Sequence, residues 1–382
     1  MIRPQYFYNT LKSYGIDFYT GVPDSLLKSL CAYLTENSES TKNIIAANEG
    51  GAIGLAAGHY LATKEIPVVY MQNSGIGNAV NPLLSLADED VYRIPILLIV
   101  GWRGEPNIHD EPQHVKQGKI TIPLFDTMGI KNEILATEEQ DINEQIKRAV
   151  DYMQEKQTPY TLIVKKGTFE KYKLLEKLEK HLELEREKAV QLVASALDDN
   201  SVVVSTTGKI SRELFEYREM KGENHEHDFL TVGSMGHSSQ IALGIALAQK
   251  GRKVYCFDGD GAIIMHMGSL GIVGNLAPKN FYHILFNNGA HDTVGGQPTI
   301  GFDINFIQIA HYLGYKSVIS VDNENALQSI LHSLDTYEAP VFLEIKVRKG
   351  SREDLGRPTT TPIQNKQSLM DFLMLTNLVD KK

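Results

Sequence analysis

Short apolar runs rich in β-branched residues recur along the chain, and longer stretches with apolar positions three or four apart lie between them. Val68–Met71, Ile96–Val100, Thr161–Val164, Val202–Ser205, Val254–Phe257, His283–Phe286 and Val341–Ile345 predict strands. Glu49–Thr63, Glu139–Gln154, Ser239–Lys250 and Glu324–Leu334 predict helices. This alternation implies parallel sheets with helices on both faces, an α/β architecture. At 382 residues the chain exceeds what one core usually serves, so two domains are expected. The boundary falls where composition turns abruptly to Lys and Glu, giving one domain over 1–168, a charged linker over 169–188 and a second domain over 189–382. Leu175, Leu178 and Leu182 stand at helical spacing, so the linker reads as a solvated connecting helix. No sequence repeat links the halves.

Composition narrows the class. Hydrophobic residues at 42% and charged residues at 22% argue against disorder. No run of about 18 apolar residues exists to span a bilayer. Met1–Gln5 lacks the apolar core of a signal peptide, so a cytoplasmic protein is expected. Cys31 and Cys256 are too few for a disulfide framework or a thiolate metal site. Thirty-eight basic against 47 acidic residues, net −9, disfavour a nucleic-acid or anionic-membrane surface. A small anionic ligand would need local donors, a helix N-terminus or a metal ion.

Candidate chemistry concentrates behind two strands. Val254–Phe257 runs into Asp258-Gly259-Asp260-Gly261, and 25 residues separate Gly261 from Asn287-Asn288-Gly289, behind His283–Phe286. Carboxylate, amide and backbone carbonyl at the C-terminal ends of strands are hard oxygen donors suited to Mg²⁺ or Ca²⁺. The glycines let backbone N–H groups approach a bulky anion. A dinucleotide fingerprint would need a third glycine, which neither Gly259–Ile264 nor Gly75–Val80 supplies.

This spaced pair resembles the signature of thiamine-diphosphate-dependent enzymes. The resemblance implies two doubly wound parallel-sheet domains, a pyrimidine domain and a diphosphate domain, with no room for the middle domain of larger relatives. It implies Mg²⁺ held by Asp260, Asn288 and the carbonyl of Ala290, and a diphosphate lodged against Gly259, Asp260, Gly261 and Ala262, with Thr207 and Gly208 close by. Asn48–Tyr60 resembles the junction whose glutamate, here Glu49, hydrogen-bonds N1′ of the aminopyrimidine. In Thr231–Gly236, the carbonyl of Gly233 would accept the 4′-amino proton and Met235 would prop the bent cofactor. Read alone, Glu49 would be a first-turn glutamate and Met235 core filling. The resemblance further implies at least a homodimer, with active sites between subunits.

Three polar segments, together with Asn287–Thr299, resemble the branch of that family acting on small anionic 2-oxo acids, phosphonopyruvate or sulfopyruvate, the former closer. Asp24 and Ser25 stand before a helix expected to start near Leu26 and read either as an anion site or as caps. Arg103 and Lys116 flank a loop rich in ionisable groups, and Arg352 and Arg357 lie in a basic patch near the C-terminus. Guanidinium suits a phosphonate or sulfonate, so these four are candidate substrate contacts. His114 and His291 are candidates for positioning or proton relay, against plain polar filler. A zinc hydrolase built on His109–His114 is the rival of another class, but Pro112 forbids the continuous helix that such a motif needs. A non-catalytic subunit would be marked by loss of Glu49 or Asp260, and both are present.

Overall fold

Each predicted strand forms, with ends shifted by up to two residues, and five more join them. In the computed structural model, which describes residues 1–175 and 182–376, the first sheet comprises Tyr19–Gly21 (β1), Asn43–Ile45 (β2), Val68–Gln72 (β3), Leu97–Gly101 (β4), Lys131–Ile134 (β5) and Tyr160–Val164 (β6). The second comprises Val202–Ser205 (β7), Asp228–Leu230 (β8), Val254–Gly259 (β9), Phe281–Asn287 (β10) and, beyond the two-residue strands Ala290–His291 (β11) and Gln297–Pro298 (β12), Ser317–Val321 (β13) and Val341–Lys346 (β14). Both six-stranded sheets are parallel throughout, ordered β2-β1-β3-β4-β6-β5 and β13-β14-β10-β9-β7-β8. Counted from its own first strand, each sheet has the same order: second, first, third, fourth, sixth, fifth.

The strands missing from the sequence reading lie mostly at sheet edges. β2, β5 and β13 are half exposed and carry polar residues, so they lack the apolar run that marks a covered strand. β1 is buried but only three residues long.

Alternation along each strand feeds two apolar layers. Tyr70, Leu97 and Ile99 pack with Phe7, Leu30 and Ile146 on one face of the first sheet. Val69, Met71, Leu98 and Val100 pack with Ile53 and Phe125 on the other. The second sheet repeats the scheme, with Tyr255, Phe257 and Ile284 on one side and Val204, Cys256 and Leu285 on the other. Both sheets are therefore covered on two faces by helices, as doubly wound α/β units are. No described helix is long and apolar enough to cross a membrane.

Contacts divide the described residues into one unit of 1–175 with 293–297 and another of 182–292 with 298–376. Residues 293–297 thus pack with the first unit, where Gln297 Nε2 donates to the Lys28 carbonyl at 3.3 Å. The expected connecting helix is absent from its described flanks, since 171–175 and 182–184 are irregular. Leu178 lies outside the described residues. Tyr172 explains the first flank: its hydroxyl donates to Glu36 Oε2 at 2.6 Å and its N–H to Ser29 Oγ at 3.2 Å, anchoring the segment on the first unit.

Candidate active site

In the first unit, the polar candidates gather where β1, β3 and β4 end. This is the switch point of the sheet, since the chain runs from β1 to β2 on one side and from β3 to β4 on the other. Asp24 is fully buried behind β1; its carboxylate accepts from Gln72 Nε2 at 2.5 Å and from the Leu26 N–H at 2.9 Å. Burial raises its pKa, against the pull of these donors. Neither Asp24 nor Ser25 caps the helix expected near Leu26, which begins only at Lys28 and has no side-chain cap.

Ser25 Oγ instead accepts from Arg103 Nη1 at 2.9 Å. Arg103 Nε donates to Asp110 Oδ2 at 2.8 Å, and Nη2 to the other carboxylate oxygen. Burial alone would raise the Asp110 carboxyl, but the guanidinium and the N–H groups of Gly104 and Glu111 hold it far below the usual range. Arg103 is therefore a fixed, half-screened cation rather than a free one. Its backbone is clamped by Asn73, which accepts from the Arg103 N–H at 3.1 Å and donates to its carbonyl at 2.8 Å.

His114 is buried on the helix Pro112–Thr127, drawn close to the Arg103 loop because two glycines face each other there. A Cβ on Gly104 would lie 1.9 Å from the His114 carbonyl oxygen, and one on Gly118 1.7 Å from that of Gly104. Lys116, on the same helix, is exposed. The zinc reading finds no support in this geometry. Pro112 opens the helix, Asp110 is spent on Arg103, and the one triad of potential His, Cys or carboxylate ligands among the described residues is Cys256, Asp258 and His283.

Glu49 opens the helix Glu49–Thr63, capped by Asn48 Oδ1 accepting from the Gly51 N–H at 2.8 Å. The carboxylate is 5% exposed and accepts from Asn78 Nδ2 at 2.8 Å. Burial raises its pKa and the Asn78 bond works against that rise. Gly75 supplies the room, since a Cβ there would stand 2.2 Å from Glu49 Oε1. Gln72-Asn73-Ser74-Gly75 therefore touches Asp24, Arg103 and Glu49, yet the sequence reading passed over it. Its only signal was an amide-rich turn after a strand.

In the second unit, Asp260 opens a helix directly behind β9 and is 2% exposed. Burial pushes its pKa up to about 6, opposed by the Thr299 hydroxyl and the N–H groups of Gly261 and Asn288. Among the described residues no basic side chain pairs with it. A buried carboxylate beside the Asn288 backbone, without a cationic partner, fits a divalent cation by its chemistry. Asn288 Oδ1 accepts from the Ala290 N–H at 3.1 Å, so the three expected ligating residues form one local cluster. Gly301 lies against it, where a Cβ would come 2.6 Å from Asp260 Oδ2.

Around Gly261 the fit extends to a larger ligand. A Cβ on Gly261 would lie 2.8 Å from His291 Cε1 and 3.2 Å from the Met235 methyl, so both side chains border the turn. Burial lowers the His291 pKa to about 4, which makes it a neutral imidazole at pH 7 rather than a relay titrating near neutrality. Thr207 Oγ1 accepts from the Gly233 N–H at 3.0 Å, joining two of the expected cofactor loops, and Gly208 leads into the helix Lys209–Lys221. Gly259 ends β9 and Ala262 is buried in the helix that follows.

Arg352 and Arg357 are exposed in the second unit. The Arg352 guanidinium meets Glu187 at 3.1 Å, Asp354 at 3.1 Å and Glu216, so an anionic ligand would have to displace carboxylates to reach it.

Comparison with known proteins gives the same picture. Residues 4–127 match the thiamine pyrophosphate enzyme N-terminal TPP binding domain, and residues 206–345 the C-terminal TPP binding domain. Phosphonopyruvate decarboxylase of Streptomyces viridochromogenes is 30% identical over 93% of this chain and 90% of its own. That of Streptomyces hygroscopicus is 30% identical over 95% and 92%. Sulfopyruvate decarboxylase of Methanosarcina acetivorans is 26% identical over 89% and 90%. With two TPP-binding domains matched and near full-length similarity at this level, the chain belongs to the phosphonopyruvate decarboxylase family of thiamine-pyrophosphate-dependent carboxy-lyases.

Proposed function

We propose that the chain decarboxylates 3-phosphonopyruvate to phosphonoacetaldehyde and CO₂, a step toward phosphonates such as 2-aminoethylphosphonate. The observation that carries this substrate is Arg103, pinned by Asp110 and presenting Nη1 to Ser25 Oγ at 2.9 Å beside buried Asp24. A fixed guanidinium next to a hydroxyl is suited to a tetrahedral oxyanion group, and family membership supplies the 2-oxo acid chemistry.

Thiamine diphosphate, when bound, supplies the electron sink that lets the C1–C2 bond of a 2-oxo acid break. The chain's own residues bind, orient and move protons. Glu49 would hold and exchange a proton at N1′ of the aminopyrimidine, and the burial that raises its pKa suits that exchange. Asp260, Asn288 and the Ala290 carbonyl would hold Mg²⁺. Thr207, Gly208 and the Gly259–Ala262 turn would face the diphosphate. The Gly233 carbonyl would accept from the 4′-amino group, and Met235 would pack against the cofactor. His291 lines the pocket as a neutral donor or acceptor, and His114 positions the substrate.

Sulfopyruvate is the second reading, favoured by the full-length relative from Methanosarcina acetivorans, since a sulfonate offers the same three oxygens with less charge. The deciding experiment offers phosphonopyruvate, sulfopyruvate and pyruvate in parallel, with thiamine diphosphate and Mg²⁺, and identifies the aldehyde. A higher kcat/KM on sulfopyruvate would reverse the choice. Active sites shared between subunits of at least a homodimer complete the reading. Mixing inactive Glu49→Gln and Asp260→Ala subunits should then restore about a quarter of wild-type activity on random reassociation. No recovery despite proven exchange would place each site within one chain.

A further inference from the structure

The Asn288 side chain is oriented by chemistry on both sides. The Asp292 carboxylate can only accept, so it takes the amide NH₂: Nδ2 donates to Asp292 Oδ2 at 2.8 Å. The Ala290 N–H can only donate, so it takes the amide oxygen, at 3.1 Å. Together they leave Oδ1 with one lone pair free for another ligand.

Asp292 is itself held. Arg186 Nη1 donates to Asp292 Oδ2 at 2.6 Å, while Nε and Nη2 grip Glu213 at 2.9 and 2.8 Å. The side chains of Arg186, Glu213 and Asp292 are 4, 1 and 8% exposed. The Gly350 backbone closes the set, its N–H reaching Asp292 Oδ2 and its carbonyl Arg186 Nη2, each at 3.2 Å.

Stability alone accounts poorly for this arrangement. Arg186 is the first residue of the helix Arg186–Ser195, where the helix dipole disfavours a cation. Buried ion pairs are also weak stabilisers compared with apolar packing. What the network does secure is the placement of a carboxylate oxygen against the Asn288 amide.

We propose that Asp292, backed by Arg186 and Glu213, is a positioning residue that fixes the Asn288 amide with its oxygen toward the divalent cation. This rests on the reading of Asp260 and Asn288 as cation ligands. Asp292→Asn keeps shape but meets the donors of Asn288, Arg186 and Gly350 with a neutral amide oxygen in place of the carboxylate, so it weakens the hold on the Asn288 amide. Outer partners of metal ligands typically set affinity by ~10- to 100-fold.

The test titrates Mn²⁺ into full-length protein with thiamine diphosphate, read by electron paramagnetic resonance, for wild type, Asp292→Asn and Arg186→Met/Glu213→Gln. The double variant removes both buried charges at once and serves if Asp292→Asn fails to fold. Metal-free melting temperature is recorded for each. Expected is a Mn²⁺ Kd weakened ~10- to 100-fold in Asp292→Asn, more than any fall in kcat at saturating metal, and a smaller weakening in the double variant. Unchanged Kd in a folded variant, or a fall in kcat with unchanged Kd, overturns the positioning role while leaving the cation site intact. Wild-type protein that binds no Mn²⁺ overturns the underlying ligand assignment, and the proposal with it.

Discussion

Asn78 donates to the Glu49 carboxylate at 2.8 Å, reaching back from the helix Ile76–Pro82 to the first residue of another helix. Burial and this bond act on Glu49 in opposite senses, the first raising its pKa and the second lowering it. Asn78→Leu removes the lowering influence, so the Glu49 pKa rises further. If the ionised carboxylate starts the cycle, the acidic limb of the kcat/KM profile moves to higher pH. An unmoved limb in an active variant would detach Asn78 from Glu49 function.

Space around Glu49 is as restrictive as charge. Glu49→Gln should slow turnover at least ~100-fold, the scale of a lost acid–base group, while leaving fold and thiamine diphosphate binding intact. Gly75→Ala sets a Cβ 2.2 Å from Glu49 Oε1 and must displace the carboxylate, so a loss on the order of 100-fold is expected from misplacement alone. Steady-state rates with binding calorimetry check both; near-normal turnover in Glu49→Gln would remove it from the chemistry.

Asp260 links metal to stability. Its carboxyl titrates near the ordinary value of 3.8 when unfolded and at about 6 when folded. Between those values the native state holds the extra proton, so metal-free stability is highest at the acidic end and falls as pH rises through 6, by about 3 kcal/mol in all. Chelated protein should melt lower at pH 7 than at pH 5, and Asp260→Asn should flatten that slope. The same variant should lose the stabilisation that Mg²⁺ with thiamine diphosphate gives the wild type. Melting curves with and without EDTA decide it.

For the substrate's anionic group, Arg103 and Arg352 make opposite predictions. Arg103→Met should lower kcat/KM for phosphonopyruvate ~10- to 100-fold more than for pyruvate, the worth of a charge-assisted hydrogen bond. Arg352 is already engaged by Glu187, Asp354 and Glu216, so Arg352→Met should affect both substrates alike. The reverse pattern would move the anion pocket to the C-terminal basic patch.

Legibility in the sequence followed burial. A strand such as β4, covered on both faces, carries an unbroken apolar run, and Glu49–Thr63 could be read to the residue. Edge strands such as Lys131–Ile134 stay half wet and leave no such run. Asp260 and Asn288 were visible because one spacing fixes both. Gln72, Asn78, Asp110 and Arg186 were not, since each acts through a partner between 7 and 106 positions away in sequence. The described flanks at Leu175 and Leu182 are irregular despite their helical spacing, and Tyr172 ties the first of them down through Glu36 and Ser29.

Two sheets wound along one route, without shared lettering, bear on ancestry and on engineering. A backbone path outlasts exchange of its side chains as long as the oily layers are refilled to similar volume. Equivalent exits therefore came to serve different tasks: behind the third strand, one half carries Asn73–Gly75, which makes room for an acid, and the other carries Asp260 itself. Grafts between such matched exits inherit a takeoff direction already solved, leaving only the cargo to be redesigned.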